Sequence, residues 1–472
     1  MRPTKDSPGW VLPGILILVV VVLNLNTLRN GFTYDDRTLF QPAGVATTND
    51  FRPISTWSLS LNKAVLGGGP RAFHTFNVAL SVVATLLVFL IGTEILSGRM
   101  QGFTAALLFA IHPVHVEAIQ KIQQRGVLLA AVAVIAALWL MRRGRSGAGT
   151  SRIGTSAAIW GLYGIALLCS ETAIVFVGLF VLFALWAGNG ASLRQSSRQM
   201  SLDSRFWGIV ALTAAYFFFC RAVTGRWLPF VSPSFLGNPL AFAGVHTRIL
   251  TAIDLIRRSL VLVTWPFASS PDYSFDAVPL ISGFNSRQFL ASVAVLAAII
   301  AAAVAFGRKK PAYLFACVFF LISVSVASNL WFPVGATISE AALYLPSVAI
   351  CWAAAQLFAD LGWILPEPRR EGVPAARRFK SMSLVLICVI VPWTARTYLR
   401  NAEWHDDFVL YRAAVRTNPR NARCHYILGE SYFSEADLLS AEREYHRAVE
   451  IYPGYREAAN RLAAVRELLY NR

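Results

Sequence analysis

The sequence predicts an all-α protein, a polytopic bundle of membrane helices followed by a short module of C-terminal helices. The chain of 472 residues is 56% hydrophobic and only 15% charged, and its mean hydropathy is +0.51, which is too apolar for a soluble multidomain protein. Apolar runs long enough to cross a hydrocarbon layer of about 30 Å recur along most of the chain. Near the C-terminus, residues of the same type recur every 34 positions.

The apolar runs set the expected topology of residues 1–398, which are taken as the membrane domain. The first run is interpreted as a retained helix, because no convincing small-residue cleavage site follows it. Pro113 is expected to kink or to start the segment that contains it. The predicted spans, eleven in all, lie near 10–28, 75–97, 102–118, 126–141, 155–169, 172–188, 206–222, 289–306, 311–328, 342–363 and 381–398.

The positive charge is explained by the membrane topology. The formal charge of +17 comes from short basic clusters between the apolar runs, as is typical of cytoplasmic loops, so nucleic-acid binding is not expected. With eleven spans and a cytoplasmic N-terminus, every cluster lies on the cytoplasmic side. The loop after the first helix, the loops near 113–125 and 221–288, and the C-terminus then lie on the non-cytoplasmic face.

One apolar stretch, ILTAIDLIRRSLVLVTWPF at 249–267, carries Asp254, Arg257 and Arg258 near its middle. Charges at the centre of a bilayer cost about 2.5 to 3.5 kcal/mol each. We therefore expect an amphipathic helix at the outer interface, or a span buried against other helices. A further span here would move the C-terminus to the cytoplasmic side.

The tail, residues 399–472, is polar and is taken as a separate helical domain. Equivalent residues lie 34 positions apart in the pairs Tyr411 and Tyr445, Ala414 and Ala448, and Pro419 and Pro453. That spacing is the tetratricopeptide period, and a plain helical hairpin is the alternative. The tail holds about one and a half repeats, fewer than the three usually needed for stability. The module is therefore expected to pack against the membrane domain and to depend on it for stability. Its predicted packing positions are Leu428, Gly429, Tyr432, Ala441, Tyr445, Ala448 and Pro453, and His425 replaces the usual Trp.

The cysteines and histidines do not indicate a metal site or a disulfide framework. The six cysteines lack the spacing of either. In AIHPVHVEAIQKIQQR, helical spacing puts 112, 115 and 119 on one face and 117, 121 and 125 on another. His112 and His115 would need a third ligand, so no divalent metal is predicted; ordinary hydrogen-bonded histidines are the alternative. No soluble nucleotide-sugar pocket, P-loop or Rossmann fingerprint is evident.

Asp35 and Asp36, in the stretch GFTYDDRTLF, are the candidate catalytic residues. A solvated turn is the alternative, because Gly and Asp are common in turns. The pair follows the first helix, however, and the amphipathic stretch DFRPISTWSLSLNKAV would keep its loop near the membrane surface. A carboxylate beside apolar surface and a second acid has its pKa raised toward the range useful for a general base.

Other ionisable residues are predicted on the same face. Because such groups are costly to bury in a membrane domain unless paired or hydrated, they are candidates for function. Cationic and imidazole groups there could stabilise an anionic leaving group, and Glu117 could shape the site. The candidates for binding donor phosphate or substrate are Arg52, His74, His112, His115, Glu117, Lys121, Arg125 and Glu340, with Glu171 on the same side.

These motifs, in order and spacing, resemble the transmembrane and tetratricopeptide-repeat protein O-mannosyltransferases, membrane glycosyltransferases of the GT-C type. The resemblance runs along nearly the whole chain, through YDD, FRPISTWSLSLNKAVLGGGPRAFHTFNVAL, AIHPVHVEAI, SETAI, WPFASSPDYSFDAVPLI, SNLWFPVGATISEAALYLPS and RNAEWHDDFVLYRAAVRTNP. It implies that Asp35, with Asp36 beside it, deprotonates an acceptor hydroxyl while an isoprenyl phosphate departs, with inversion. The implied donor is a polyprenyl-phosphate hexose, with mannose expected. The implied acceptor is a protein or glycan, presented by the tail.

Three positions depart from the pattern of that family and bear on activity. Removing one acid and two bases together is compatible with mutual compensation, with a changed donor, or with a noncatalytic scaffold. The usual Gly-Arg-Ala-Asp is replaced by Gln124, Arg125, Gly126 and Val127, the usual Lys-Glu by Ser170 and Glu171, and the usual Glu-Arg by Glu340 and Ala341.

Two other functions were weighed against a glycosyltransferase. A membrane-anchored tetratricopeptide scaffold would tolerate loss of both aspartates. A transporter would show symmetry between two halves of the chain, and none is evident. The expected location is a bacterial inner membrane, with the active site and the C-terminus in the periplasm.

Overall fold

A computed structural model describes residues 9–36, 51–143, 152–186, 203–227, 234–362 and 375–470. Regular structure within these residues is entirely helical, which confirms the all-α prediction. The first nine α-helices of the described chain are α1 Val11–Leu23, α2 Pro53–Leu66, α3 Pro70–Ile95, α4 Arg99–Ala110, α5 Val116–Gln120, α6 Arg125–Arg143, α7 Arg152–Cys169, α8 Phe176–Trp186 and α9 Ser204–Thr224.

The remaining α-helices complete the membrane domain and form the tail. Five complete the membrane domain: α10 Val245–Thr264, α11 Arg287–Gly307, α12 Pro311–Ser325, α13 Tyr344–Asp360 and α14 Ala375–Glu403. The tail contains α15 Asp407–Thr417, α16 Ala422–Ser434, α17 Leu438–Ile451 and α18 Arg456–Tyr470.

The described chain has the helices of a multi-pass membrane protein, and a helix coincides with each of the predicted apolar runs. Within the described residues, six helices are long and apolar enough to cross a membrane, a bent pair gives a seventh, and three apolar helices are shorter. Buried Leu, Phe, Ala and Val side chains from these helices form one large core. The eleven crossings and their orientation stay predictions.

The predicted effect of Pro113 is confirmed. Helix α4 and the segment Pro113–Gln120 are bent by 51° relative to each other, and a short 3-10 turn, Pro113–His115, joins them. Proline has no N–H to donate to the helical ladder, so the α-helix ends before it.

The prediction that residues 117, 121 and 125 share one helical face is wrong. Helix α5 ends at Gln120, Lys121 is extended, and a 3-10 turn precedes the start of α6 at Arg125. The physical reason is that a side-chain acceptor competes with the helical carbonyl groups for backbone N–H groups. The Asp36 carboxylate accepts the backbone N–H groups of Ile122 and Gln123, each at 3.0 Å.

The stretch after the first loop forms α2, as its amphipathic pattern predicts. Its exposed side chains Trp57, Leu61 and Val65 are four residues apart and therefore share one face. Ser55, Ser58 and Asn62 are buried on the opposite face. An apolar face turned outward from a membrane domain is typical of a helix that lies at the lipid interface.

Helix α10 contains Asp254, Arg257 and Arg258, the three charges that make a membrane span at 249–267 costly. The buried Asp254 carboxylate accepts hydrogen bonds from Arg257 at 2.6 Å and from Ser292 Oγ at 2.8 Å, and Arg258 pairs with its other oxygen. The two guanidinium groups therefore compensate the buried carboxylate, which lowers the cost of burying it. Whether α10 crosses the membrane or lies at its surface stays a prediction.

The tail helices α15 to α18 pack each against the next. Of the predicted packing residues, Leu428, Gly429, Ala441, Tyr445 and Ala448 are buried. His425, at the position of the usual Trp, bridges Glu444 at 2.7 Å and the Pro419 carbonyl at 3.0 Å. Helix α14 continues past the predicted boundary at 398, so a helix joins the two regions; assignment of the tail as a tetratricopeptide module stays a prediction.

Candidate active site

The loop after α1 is held in place by hydrogen bonds to distant parts of the chain. The Asn30 side-chain amide donates to Gln120 Oε1 at 2.9 Å and to the Asn401 carbonyl at 2.8 Å. The Gly31 N–H donates to the His405 carbonyl at 2.9 Å. Tyr34 has a positive φ of 59°, which is uncommon outside glycine and turns the chain immediately before Asp35.

Asp36 lies on the buried side of this loop. Its carboxylate has no exposed surface and accepts the backbone N–H groups of Ile122 and Gln123. Burial raises the pKa of Asp36 to about 7, and the two amide hydrogen bonds oppose that rise. Asp36 therefore ties the loop to the break between α5 and α6, and it does not line the cavity described next.

Asp35 lines a cavity of about 290 Å³ between the membrane domain and the tail. Its side chain is 39% exposed, with Lys121 Nζ at 3.4 Å from one carboxylate oxygen and an Arg423 nitrogen at 3.2 Å from the other. Lys121 comes from the end of α5, whereas Arg423 comes from the start of α16 in the tail. Two cations from separate regions thus converge on one carboxylate.

Tyr34 organises the cations around Asp35. Lys121 Nζ lies 3.7 Å and the Arg423 guanidinium 4.8 Å from the centroid of its ring, distances at which the ring face attracts a cation. The Tyr34 hydroxyl donates to Asp272 at 2.6 Å. Tyr34 also stacks on Tyr411 of the tail, with ring centroids 6.0 Å apart.

Asp272, in the loop after α10, forms the acidic wall of the cavity on the side of the tail. Burial alone would raise the pKa of this carboxyl, but Arg423 and hydrogen bonds from Ser274, Tyr34 and Asn421 hold it below its ordinary value. The Asn421 amide donates at 2.9 Å and the Ser274 N–H at 2.7 Å. Asp272 thus fixes Arg423 and Tyr34 beside Asp35.

Arg52 and Glu171 form another part of the cavity wall. Two nitrogens of Arg52, at the start of α2, donate to the two carboxylate oxygens of Glu171 at 2.7 and 2.9 Å. A bidentate pair at these distances is among the stronger ion pairs in proteins. Arg52 therefore supplies Glu171 with a cation despite the departure at Ser170.

Glu117 also lines the cavity, and its carboxylate organises the loop before α13. It accepts the backbone N–H groups of Glu340 at 2.8 Å and of Ala341 at 3.2 Å. Behind this loop, Glu340 pairs with Arg400 at 2.8 Å, and both side chains are fully buried. Arg400 of α14 therefore supplies Glu340 with a cation despite the departure at Ala341.

The remaining predicted residues lie outside the cavity lining. His112 forms a hydrogen bond with the Val263 carbonyl at 2.8 Å, and His115 forms one with Ser347 Oγ at 2.7 Å. Both are thus hydrogen-bonded to neighbouring groups, as in the alternative to a metal site. His74 lies 3.4 Å from the Gly31 carbonyl. Arg125 donates to Asn77 Oδ1 at 2.8 Å and to the Phe73 carbonyl at 3.1 Å, so it joins α6 to α3.

The structure thus brings Asp35, Arg52, Glu117 and Lys121 of the predicted residues to one cavity. Sequence reasoning missed Tyr34, Asp272 and Arg423. Asp272 belongs to the motif WPFASSPDYSFDAVPLI, so the sequence did contain a signal that could have identified it. Arg423 stands in a tail whose repeat pattern concerns packing positions only. Within the described part of the chain, no group of three or more His, Cys, Asp or Glu could hold a metal ion.

These features define a helical membrane protein with a polar cavity that combines a half-exposed acid and several cations. Comparison with known proteins extends the assignment. Over 86% of its length the chain is 27% identical to the protein O-mannosyl-transferase F38B6.6 of Caenorhabditis elegans. Over 93% it is 25% identical to the protein O-mannosyl-transferase TMTC3 of Homo sapiens. The resemblance indicated by the motifs is therefore confirmed by curated relatives.

The similarity covers only part of those relatives. The chain spans 54% of the C. elegans protein and 51% of the human one, about half the length of each. The relatives named here are animal proteins, which gives no support to the expected bacterial inner membrane. No protein-family model matches the chain.

Two solved structures are similar in fold. ArnT from Cupriavidus metallidurans bound to undecaprenyl phosphate has a TM-score of 0.46 at 12% identity, covering 88% of this chain and 79% of ArnT. The Archaeoglobus fulgidus oligosaccharyltransferase AglB, in complex with an inhibitory peptide and a dolichol-phosphate, also has a TM-score of 0.46, at 15% identity, covering 83% and 55%. At these values the similarity concerns the fold alone.

Proposed function

We propose that the protein is a glycosyltransferase that moves a hexose, mannose in the first instance, from a polyprenyl phosphate to a hydroxyl of a protein or glycan. The observation that carries the proposal is the position of Asp35, a half-exposed carboxylate in a cavity that also contains Arg52, Lys121 and Arg423. The names of the curated relatives support the sugar and the class of acceptor.

Asp35 acts as the general base in this proposal. A serine or threonine hydroxyl is a weak nucleophile and needs a base within hydrogen-bonding reach. Asp35 faces the cavity, whereas the carboxylate of Asp36 is buried against backbone amides, so the two adjacent acids have different roles. Asp35 takes the proton, and Asp36 positions the loop that carries Asp35.

Bond making and breaking are balanced in a single displacement. The acceptor oxygen bonds to the anomeric carbon as the bond from that carbon to the phosphate oxygen breaks, which inverts the configuration. The hydroxyl proton passes to Asp35, and the polyprenyl phosphate leaves with the electron pair. Cations in the cavity stabilise the charge that develops on the phosphate.

The cavity suits a small polar group on a lipid anchor. Its volume of about 290 Å³ lies near the lower end of the range for ligand pockets, so it would hold the reacting sugar and phosphate but not a whole polyprenyl chain. The chain would remain in the bilayer beside the apolar helices. The proposed site of action is the non-cytoplasmic face, and the tail would present the acceptor.

The test is sugar transfer by the purified full-length protein. The wild type, Asp35→Asn and Asp276→Asn are each incubated with labelled polyprenyl-phosphate sugars and a Ser/Thr-rich acceptor peptide. Asp276 is a matched control, because it lies in the same loop as Asp272, pairs with the exposed Arg420 and does not line the cavity.

We expect Asp35→Asn to lower transfer at least 1,000-fold with unchanged expression, and Asp276→Asn to retain it. Normal turnover by Asp35→Asn would refute the assignment of the base. Silence of the wild type across all donors and acceptors would instead favour the noncatalytic scaffold.

A further inference from the structure

The tail contributes a cation to the cavity. Arg423, at the start of α16, contacts Asp35 at 3.2 Å and Asp272 at 3.3 Å, and it donates to the Tyr34 hydroxyl at 2.7 Å. Its side chain is 28% exposed and lines the cavity. A residue of the tail is therefore part of the site wall in the membrane domain.

The cations of the cavity differ in how firmly they are held. Arg52 is engaged by Glu171 through two short bonds at 2.7 and 2.9 Å. Lys121 and Arg423 lie 3.4 and 3.2 Å from Asp35, which is longer than the roughly 2.7–2.9 Å of a strong charge-assisted hydrogen bond. Asp35 therefore holds Lys121 and Arg423 less firmly than Glu171 holds Arg52, so an incoming anion can compete with Asp35 for these two cations at the lower cost. Arg423 can keep its bond to the Tyr34 hydroxyl and its contact with Asp272 while it turns from Asp35.

These same two cations contact the proposed base. Each oxygen of the Asp35 carboxylate faces one of them. An acceptor hydroxyl can give its proton to Asp35 only if it reaches one of these oxygens within hydrogen-bonding distance, and a cation already lies beside each of them. Efficient catalysis requires that the cations withdraw from Asp35 when the reaction begins.

We propose that Arg423 is a ligand of the donor phosphate, and that Arg423 and Lys121 transfer from Asp35 to this phosphate when the donor binds. The base then becomes available only when the sugar donor is in place. This inference rests on the proposed function, which it deepens by naming a donor-binding residue in the tail.

The charges on the donor favour this exchange. A sugar-linked polyprenyl phosphate is a phosphodiester with one negative charge, and the departing polyprenyl phosphate can carry two. Contacts from two cations therefore strengthen as the bond to the anomeric carbon breaks, which is the requirement for accelerating a reaction. Asp272 keeps its hydrogen bonds from the Ser274 N–H, the Asn421 amide and the Tyr34 hydroxyl, and Arg423 remains beside it, so its charge stays compensated while Arg423 binds the phosphate.

The experiment measures equilibrium binding of undecaprenyl monophosphate to the full-length protein in detergent micelles. The variants are Arg423→Gln, Arg423→Lys and, as matched control, Arg420→Gln. Arg420 also belongs to the tail but is largely exposed and pairs with Asp276. We expect Arg423→Gln to weaken binding at least tenfold, Arg423→Lys to restore part of it, and Arg420→Gln to change it less than twofold.

A second variant tests the exchange itself. Asp35→Asn removes the competing carboxylate, so it should tighten binding of the phosphate three- to tenfold although it abolishes transfer. In an Arg423→Gln background the same change should tighten binding by a smaller factor. Loss of folding alone would not produce a gain in affinity.

The outcomes separate this inference from the proposed function. Equal binding by the wild type and by Arg423→Gln overturns the role of Arg423, and unchanged affinity of Asp35→Asn overturns the exchange, while sugar transfer by the wild type still supports the glycosyltransferase. If the wild type neither binds the phosphate nor transfers sugar, the proposed function itself fails.

Discussion

Arg423 and Asp35 are 388 positions apart in the chain, yet their side chains meet at 3.2 Å in the wall of one cavity. The contact joins the loop after the first helix to the C-terminal tail. Tyr34 and Asp272 complete the junction, because each contacts Arg423. The tail is thus a structural component of the candidate active site.

Asp36 should make stability depend on pH. Its folded-state pKa is raised to about 7, so between about pH 4 and pH 7 the folded chain retains a proton that the unfolded chain has released. Stability from this group is therefore fully present below about pH 4 and decreases as pH rises, by up to about 1.4 kcal/mol per pH unit.

The measurement is the free energy of unfolding in detergent for the wild type and Asp36→Asn from pH 4.5 to pH 8. The difference between the wild type and the variant should fall across this range and level off above about pH 7. A constant difference would show that Asp36 keeps the same charge in the folded and unfolded chains.

Arg400→Gln should destabilise the membrane domain. The change leaves Glu340 as a fully buried carboxylate without its cation, at a cost of about 3–5 kcal/mol. Glu340 Oε1 also accepts hydrogen bonds from the Tyr273 hydroxyl at 2.6 Å and the Ser270 N–H at 2.7 Å. Adding Glu340→Gln should recover a large part of the loss, because the amide oxygen of Gln can still accept both bonds and carries no charge. Thermal unfolding in detergent would check this, and equal stability of the single and double variants would contradict it.

Gly429→Ala should destabilise the tail. A Cβ at this position would lie 2.7 Å from the Tyr445 ring, and Tyr445 is fully buried, so the ring must shift at a cost of about 1–3 kcal/mol. Gly161→Ala, where nothing lies within 4 Å of the added carbon, is the control and should not destabilise. Limited proteolysis of the tail distinguishes them; equal resistance of both variants would count against close packing at Gly429.

Two substitutions at Tyr34 should separate its hydroxyl from its ring. Tyr34→Phe loses the bond to Asp272 and the bond from Arg423 but keeps a ring face beside Lys121 and Arg423, whereas Tyr34→Leu also loses cation–π contacts worth about 1–2 kcal/mol. Sugar transfer should therefore fall further in Tyr34→Leu than in Tyr34→Phe. Equal activity of the two variants would show that the ring does not hold the cations.

The sequence indicated the helices well because the signals that form them are local. Long apolar runs coincide with helices, Pro113 marks a bend, and the apolar positions of α2 share one face. Local reasoning failed where a distant group intervened. Residues 117, 121 and 125 do not share a helical face, because the Asp36 carboxylate accepts hydrogen bonds from the backbone N–H groups of Ile122 and Gln123.

Part of the candidate site could be predicted because its charged residues are also visible in the local sequence. A charge in an apolar chain is conspicuous, and Asp35, Arg52, Glu117 and Lys121 were recognised in this way. The sequence could not show which residues of opposite charge pair with them. Arg52 compensates Glu171, and Arg400 compensates Glu340, from positions far away along the chain.

By itself, the sequence determined that this protein is a helical membrane protein with acids after its first helix, because composition and periodicity are properties of neighbouring residues. Tertiary structure alone decided that Asp35 faces a cavity while Asp36 is buried against backbone amides. It also decided that the tail supplies Arg423. These are relationships between distant segments, which only the packing of the whole chain can bring within a few ångströms.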